Sequence, residues 1–128
     1  MKNSLLLTLV IVLLGSPLGA GNLAASADDI SGTWIFSVDL ENGGHGDPTF
    51  VFNQKGESLT GSYNGPLGEY KVTGTVKGNK AVFWFEFSSQ DGETLKATYT
   101  GTIETSVKMT GTVEFTKGPR GKWTATKK

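Results

Sequence analysis

The chain has 128 residues with 12 basic and 12 acidic side chains, one histidine and no cysteine. A charge this balanced gives no electrostatic attraction to nucleic acid or anionic membrane, and the missing cysteines rule out disulfides, thiol nucleophiles and a lipoprotein anchor. One domain is expected, able to bury somewhat under roughly 70% of its unfolded surface around one core.

The first elements are Lys2, an apolar run from Leu5 to Leu14, and small residues ending in Ala25-Ser26-Ala27 before Asp28-Asp29. That order reads as a secretory signal peptide over residues 1–27, followed by an exported domain over 28–128 that is secreted or periplasmic. The run falls short of the roughly 20 apolar residues of a membrane span, and an uncleaved anchor is the competing reading. Loss of Lys2 with the leader leaves the domain one net negative charge.

From Ile30 onward apolar residues alternate with polar ones, the period of half-buried strands. Ile30, Gly32, Trp34, Phe36 and Val38 share one face of the first strand, with Ile35 the exception. The same parity gives Phe50 and Phe52; Leu59, Gly61 and Tyr63; Tyr70, Val72, Gly74 and Val76; and Phe83, Phe85 and Phe87. It continues with Leu95, Ala97, Tyr99, Gly101 and Ile103; Val107, Met109, Gly111, Val113 and Phe115; and Trp123 and Ala125. Eight strands result, and no segment has a helical period.

A hydroxyl-Gly-hydroxyl-apolar phrase begins at Ser31, Thr60, Thr73, Thr100 and Thr110, and each time the glycine falls on the apolar face. Glycine belongs in a strand interior where the sheet bends sharply or backbones approach closely, as in a small barrel. Longer connections, Glu41 to Asp47, Asn64 to Gly68, Ser88 to Glu93 and Lys117 to Gly121, alternate with tight ones at Gly56, Gly78-Asn79 and Thr105-Ser106. In an up-and-down meander this puts tight turns at one end and a ring of longer loops at the other. The prediction is an all-β, eight-stranded antiparallel up-and-down barrel, with a two-sheet sandwich as the rival.

Ile30-Ser31-Gly32-Thr33-Trp34 resembles the Gly-x-Trp signature of the calycins, the superfamily of lipocalins, fatty-acid-binding proteins and avidins. Leu59-Thr60-Gly61-Ser62-Tyr63 and Gly121-Lys122-Trp123-Thr124-Ala125-Thr126 are similar to the third and closing strands of avidins. The resemblance implies that Trp34 plugs the closed end, with a basic residue, Lys122, Lys127 or Arg120, packed across it. It does not extend to the avidin biotin site, whose asparagine and serine positions here hold Phe36 and Leu40, with only Tyr63 matching. Without those partners a biotin site is not expected.

Three tyrosines in the inward register, Tyr63, Tyr70 and Tyr99, carry hydroxyls that need partners when buried. With Trp34 and Phe36 as a floor and His45 on a flap, they form the expected ligand-binding set. The competing reading has their hydroxyls reaching water and the interior filled. Inward Gly61, Gly74, Gly101 and Gly111 either admit neighbouring side chains or leave a slot for a flat molecule. A lone His45 beside Asp47 makes a poor metal site, and no cofactor, metal ligand set or activated nucleophile is expected. Glu41, Asp47, Asp91 and Glu93 are expected at the loop end as solvated carboxylates or, alternatively, an acid–base pair. Trp84 falls in the outward register, and with Ile35 it suggests a surface for self-association.

The leading expectation is an exported barrel that binds a small, mainly apolar or aromatic ligand at its loop-ringed end, with neither nucleic acid nor membrane as partner. A filled barrel acting by protein contact, as an inhibitor or assembly module, is the alternative. A small barrel enzyme of cyclase, isomerase or lyase type is the third.

Overall fold

A computed structural model describes residues 29–128. The leader assigned to 1–27 lies outside the described residues, as does Asp28. Nine strands follow in order: β1 (Gly32–Leu40), β2 (His45–Gly46), β3 (Thr49–Lys55), β4 (Ser58–Gly65) and β5 (Gly68–Lys77), then β6 (Lys80–Ser88), β7 (Thr94–Thr105), β8 (Lys108–Phe115) and β9 (Arg120–Lys127). Each long strand pairs antiparallel with the next, and β1 pairs with β9 from Trp34↔Lys127 to Leu40↔Gly121. The sheet is therefore closed: eight long strands form an antiparallel up-and-down barrel, without a helix among the described residues.

Alternation produces this closure directly. In β5, β6 and β7 the inward residues Val72, Val76, Phe83, Phe85, Ala97 and Tyr99 are buried, while the polar residues between them are mostly exposed. The middle of the barrel is filled with rings: Phe36 lies 4.4 Å from Phe50 and stacks at 4.7 Å on Trp123, and Tyr99 stacks on Phe83 at 5.3 Å. Offset and edge-on ring pairs of this kind add about 0.5–1.5 kcal/mol each beyond the area they bury.

The inward glycines leave no slots. A Cβ on Gly101 would lie 2.5 Å from the Trp123 Cη2 atom, one on Gly111 would lie 2.7 Å from Cζ2 of the same indole, and one on Gly74 would lie 2.7 Å from Phe83 Cβ. The glycines thus let Trp123 and the neighbouring backbones press onto the wall. Their volume is occupied by protein.

The tight-turn end is closed by Trp34, fully buried, whose indole N–H donates to the Ile30 carbonyl at 2.9 Å. Ile30, also fully buried, is held by its own N–H bond to Gln54 Oε1. Of the three basic residues considered for this end, Lys127 is the one placed there. It pairs opposite Trp34, and its Cε packs against Gly32. Lys122 and Arg120 lie toward the other end, opposite Asp39 and Glu114.

Three expectations are corrected. Val107 does not point inward but is 51% exposed, because the β7–β8 register shifts between Ile103 and Thr105 and β8 starts only at Lys108. The connection from Asn64 to Gly68 is not a long loop: Gly65 pairs with Gly68, leaving Pro66-Leu67 as a two-residue turn. Finally, the stretch from Glu41 to Asp47 is half hairpin. Val38↔Gly46 and Asp39↔His45 continue the register of Thr33↔Val51 and Ile35↔Thr49, so β2 and β3 are one strand interrupted at Asp47-Pro48. Pro48 has no N–H to donate, while its carbonyl accepts the Phe36 N–H at 2.9 Å.

Candidate functional site

At the loop-ringed end the ring-filled interior stops short of the rim. The space above it is a cavity of about 410 Å³, with Val38, Leu40, Leu95, Phe87 and Phe115 supplying apolar wall and Tyr99 at its inner end. The β1–β2 hairpin contributes Gly44, His45 and Gly46, β4 contributes Tyr63, and the β4–β5 turn contributes Pro66 and Leu67. Strand ends position the rings rigidly; turns supply the rim.

The six sequence-nominated residues divide by depth. Tyr63, Tyr99 and His45 line the cavity. Phe36 lies beneath it, edge-on to Tyr99 at 5.9 Å, and Trp34 belongs to the closed end, so neither borders the space. Tyr70 is half-buried beside the site, stacked on Phe85 at 5.4 Å, and its hydroxyl donates to the Leu67 carbonyl at 2.8 Å. It thereby shapes the turn that carries Leu67.

The two lining tyrosines are nearly inaccessible, Tyr63 at 3% and Tyr99 at 2% exposure. Burial raises the pKa of both phenols above the ordinary value of 10, most strongly for Tyr99, on which the nearby Tyr63 also acts. Both remain protonated at physiological pH. The Tyr63 oxygen accepts a long bond from the Leu67 N–H at 3.5 Å, while the Tyr99 hydroxyl has no hydrogen-bond partner among the described residues.

His45 is held between two carboxylates, with Nδ1 2.7 Å from Asp39 Oδ1 and Nε2 3.0 Å from Asp47 Oδ1. Ionised carboxylates only accept, so both contacts are hydrogen bonds together when both ring nitrogens donate, as they do in the imidazolium form, which this arrangement favours. The Asp39 bond, then the Asp47 bond, raises its pKa above the ordinary 6.5. Because Asp39↔His45 is also a strand pair, the imidazolium pins β2 onto β1 at the cavity rim.

The mouth carboxylates do not face one another. Asp47 bonds His45, Glu93 pairs with the Lys117 ammonium, Glu41 accepts the Arg120 N–H at 3.3 Å, and Asp91 accepts from the Ser89 hydroxyl. Among the described residues no cluster of His, Asp or Glu is arranged to hold a metal ion. Lys117 was missed by sequence reasoning; it lines the cavity from a left-handed backbone conformation, φ 59°, that a β8–β9 loop of unknown turn geometry could not reveal. A further depression, bounded by Asp39, Glu41, Glu114, Arg120 and Lys122, is charged, with Arg120 bridged to Glu114 at 3.4 Å.

No protein-family model and no curated protein matches this sequence. Three solved structures share the architecture. A redesigned beta barrel, b11L5F_LGL, superposes with a TM-score of 0.64 at 14% identity over 77% of this chain and 91% of its own. The redesigned barrel mFAP1, bound to DFHBI, gives 0.59 at 18% identity, covering 77% and 94%. EF1p2_mFAP2b, also bound to DFHBI, gives 0.58 at 13% identity, covering 84% and 99%. At such identities the likeness concerns the fold.

Trp84 is half-buried on the outer wall, with the Lys96 ammonium 4.9 Å above its ring. Ile35 does not extend it: the ladder from Trp84 runs through Thr73 on β5, then β4 and β3, before reaching β1. The two residues occupy opposite sides of the barrel.

Proposed function

We propose that this chain is an exported binding barrel that takes up one small, mainly apolar, ring-containing molecule in its mouth cavity. The observation that carries this reading is an apolar space of about 410 Å³ directly above a ring-packed interior, with two buried phenols on its wall. Small-molecule sites span about 300–1,000 Å³ and combine apolar walls with a few placed polar groups. Tyr63, Tyr99 and His45 are the contacts proposed from this chain; Phe36 supports Tyr99 from below, and Tyr70 fixes the turn with Leu67. The two neighbours bound to DFHBI lend support by showing that a barrel of this fold holds such a molecule. The leader-like residues 1–27 support export, and the near-neutral charge argues against nucleic acid and anionic membrane as partners.

The test is extraction of the purified, natively exported protein with organic solvent, followed by mass spectrometry, beside a Leu95→Trp variant whose indole fills the cavity. One apolar compound recovered with wild type and missing from Leu95→Trp is the expected result. A thermal shift screen extends it, since a ligand at 100 times its Kd adds about 2.7 kcal/mol of stability. An empty extract together with no shift from any apolar compound overturns the reading.

A further inference from the structure

The ring chemistry of the cavity wall specifies more than apolarity. We infer that the ligand presents a neutral hydrogen-bond acceptor, of the ketone or amide carbonyl class, to the Tyr99 hydroxyl at the inner end of the cavity, with Tyr63 as second donor. This rests on the binding reading above.

Three observations converge on it. Tyr99 is 2% exposed and its hydroxyl has no hydrogen-bond partner among the described residues, although it lies on the cavity wall. A buried phenol left without a partner is unfavourable, and native interiors pair nearly all such groups. The missing partner is therefore supplied from the cavity side.

The direction of the bond follows from the phenols. A phenol oxygen delocalises its lone pairs into the ring, so its O–H donates better than its oxygen accepts. In Tyr63 one oxygen lone pair already receives the Leu67 N–H, which leaves its proton as the free capacity. Two phenolic protons on one wall call for an acceptor.

The charge of the acceptor follows from the rest of the wall. None of the described residues lining the cavity is aspartate or glutamate, so an oxygen entering there meets no repelling carboxylate among them. The cations that do border it, His45 and Lys117, are already paired with Asp39 and Asp47 and with Glu93. A carboxylate ligand would lose its hydration without gaining an unpaired cation, whereas a carbonyl loses far less.

The experiment compares two probes of nearly identical shape, 9-fluorenone and fluorene, which differ in a carbonyl against a methylene. Their affinities for the full exported chain are measured by equilibrium dialysis with wild type, Tyr99→Phe and Tyr63→Phe. Wild type is expected to prefer fluorenone by about five- to tenfold, the net worth of one neutral hydrogen bond. Tyr99→Phe brings the ratio to about one, and Tyr63→Phe lowers it by a smaller factor. Equal binding of both probes by wild type overturns the acceptor inference while leaving the binding reading standing. A preference that survives Tyr99→Phe removes Tyr99 from the role. Binding of neither probe overturns the acceptor inference, and it overturns the binding reading as well only when the solvent extract is also empty and no apolar compound shifts the Tm.

Discussion

Replacing Gly101 by alanine tests whether the inward glycines are filled contacts or open slots. The new Cβ would lie 2.5 Å and 2.6 Å from the Trp123 indole atoms Cη2 and Cζ2, too close for any real pair of carbons. Overpacking of this kind costs about 1–3 kcal/mol, against which alanine recovers about 0.5–1 kcal/mol of the conformational entropy that glycine loses in a strand. The net is about 0–2.5 kcal/mol of destabilisation, each kcal/mol lowering Tm by about 4–8 °C in a domain of this size. The decisive assay is a double-mutant cycle by urea or thermal unfolding with Trp123→Phe, whose shorter ring does not reach Gly101. In that background the new Cβ keeps its 3.0 Å approach to the Thr110 carbonyl oxygen but loses the indole, so Gly101→Ala should cost clearly less than in wild type, giving a coupling of about 1 kcal/mol. A coupling within about 0.5 kcal/mol of zero refutes the filled-wall argument. Ligand affinity measured below Tm should survive Gly101→Ala, since the cavity lies at the other, loop-ringed level.

Two further outcomes follow from the rim. Because its folded pKa is raised, His45 contributes its full share of loop stability below pH 6.5 and loses it as pH rises through the higher folded value. A proton NMR titration should place the His45 midpoint above 6.5, with Asp39→Asn lowering it more than Asp47→Asn; an unshifted midpoint contradicts the double clamp. Lys117→Gly should raise Tm by a few degrees, since relief of the left-handed φ of 59°, about 1–2 kcal/mol, exceeds an exposed pair with Glu93 worth about 0–1 kcal/mol. A fall in Tm would show the ion pair to be the larger effect.

The barrel was legible because a strand shows its faces with a period of two, and that period survives in residues such as Phe83, Phe85 and Tyr99 whatever their partners. What the glycines meet was not legible. Gly101 and Gly111 have the same local sequence whether they face empty space or an indole, and only the offset of β9 brings Trp123 onto them. Likewise, Tyr63, Tyr70 and Tyr99 share one parity, but their depth depends on strand tilt, which separated the Tyr70 hydroxyl, bonded to Leu67, from that of Tyr99, which meets no partner among the described residues. His45 was read as a loop residue because two residues are too short a strand to show alternation. Its placement depends on a register carried across Pro48 from β3.

That interrupted strand has a consequence for colloidal behaviour. Lifting β2 breaks two residue pairs while β1 stays joined to β9 by seven and to β3 by four, so the mouth can open without unfolding the barrel. With β2 lifted, Val38 and Asp39 would present a free strand edge, a template on which another chain can add. The Asp39 carboxylate would then stand on that edge with Lys122 opposite it on β9, and a charged side chain at an edge discourages strand addition. The side chain that pairs with His45 on β2 therefore also protects the edge beneath it, and Asp39→Asn should speed self-assembly.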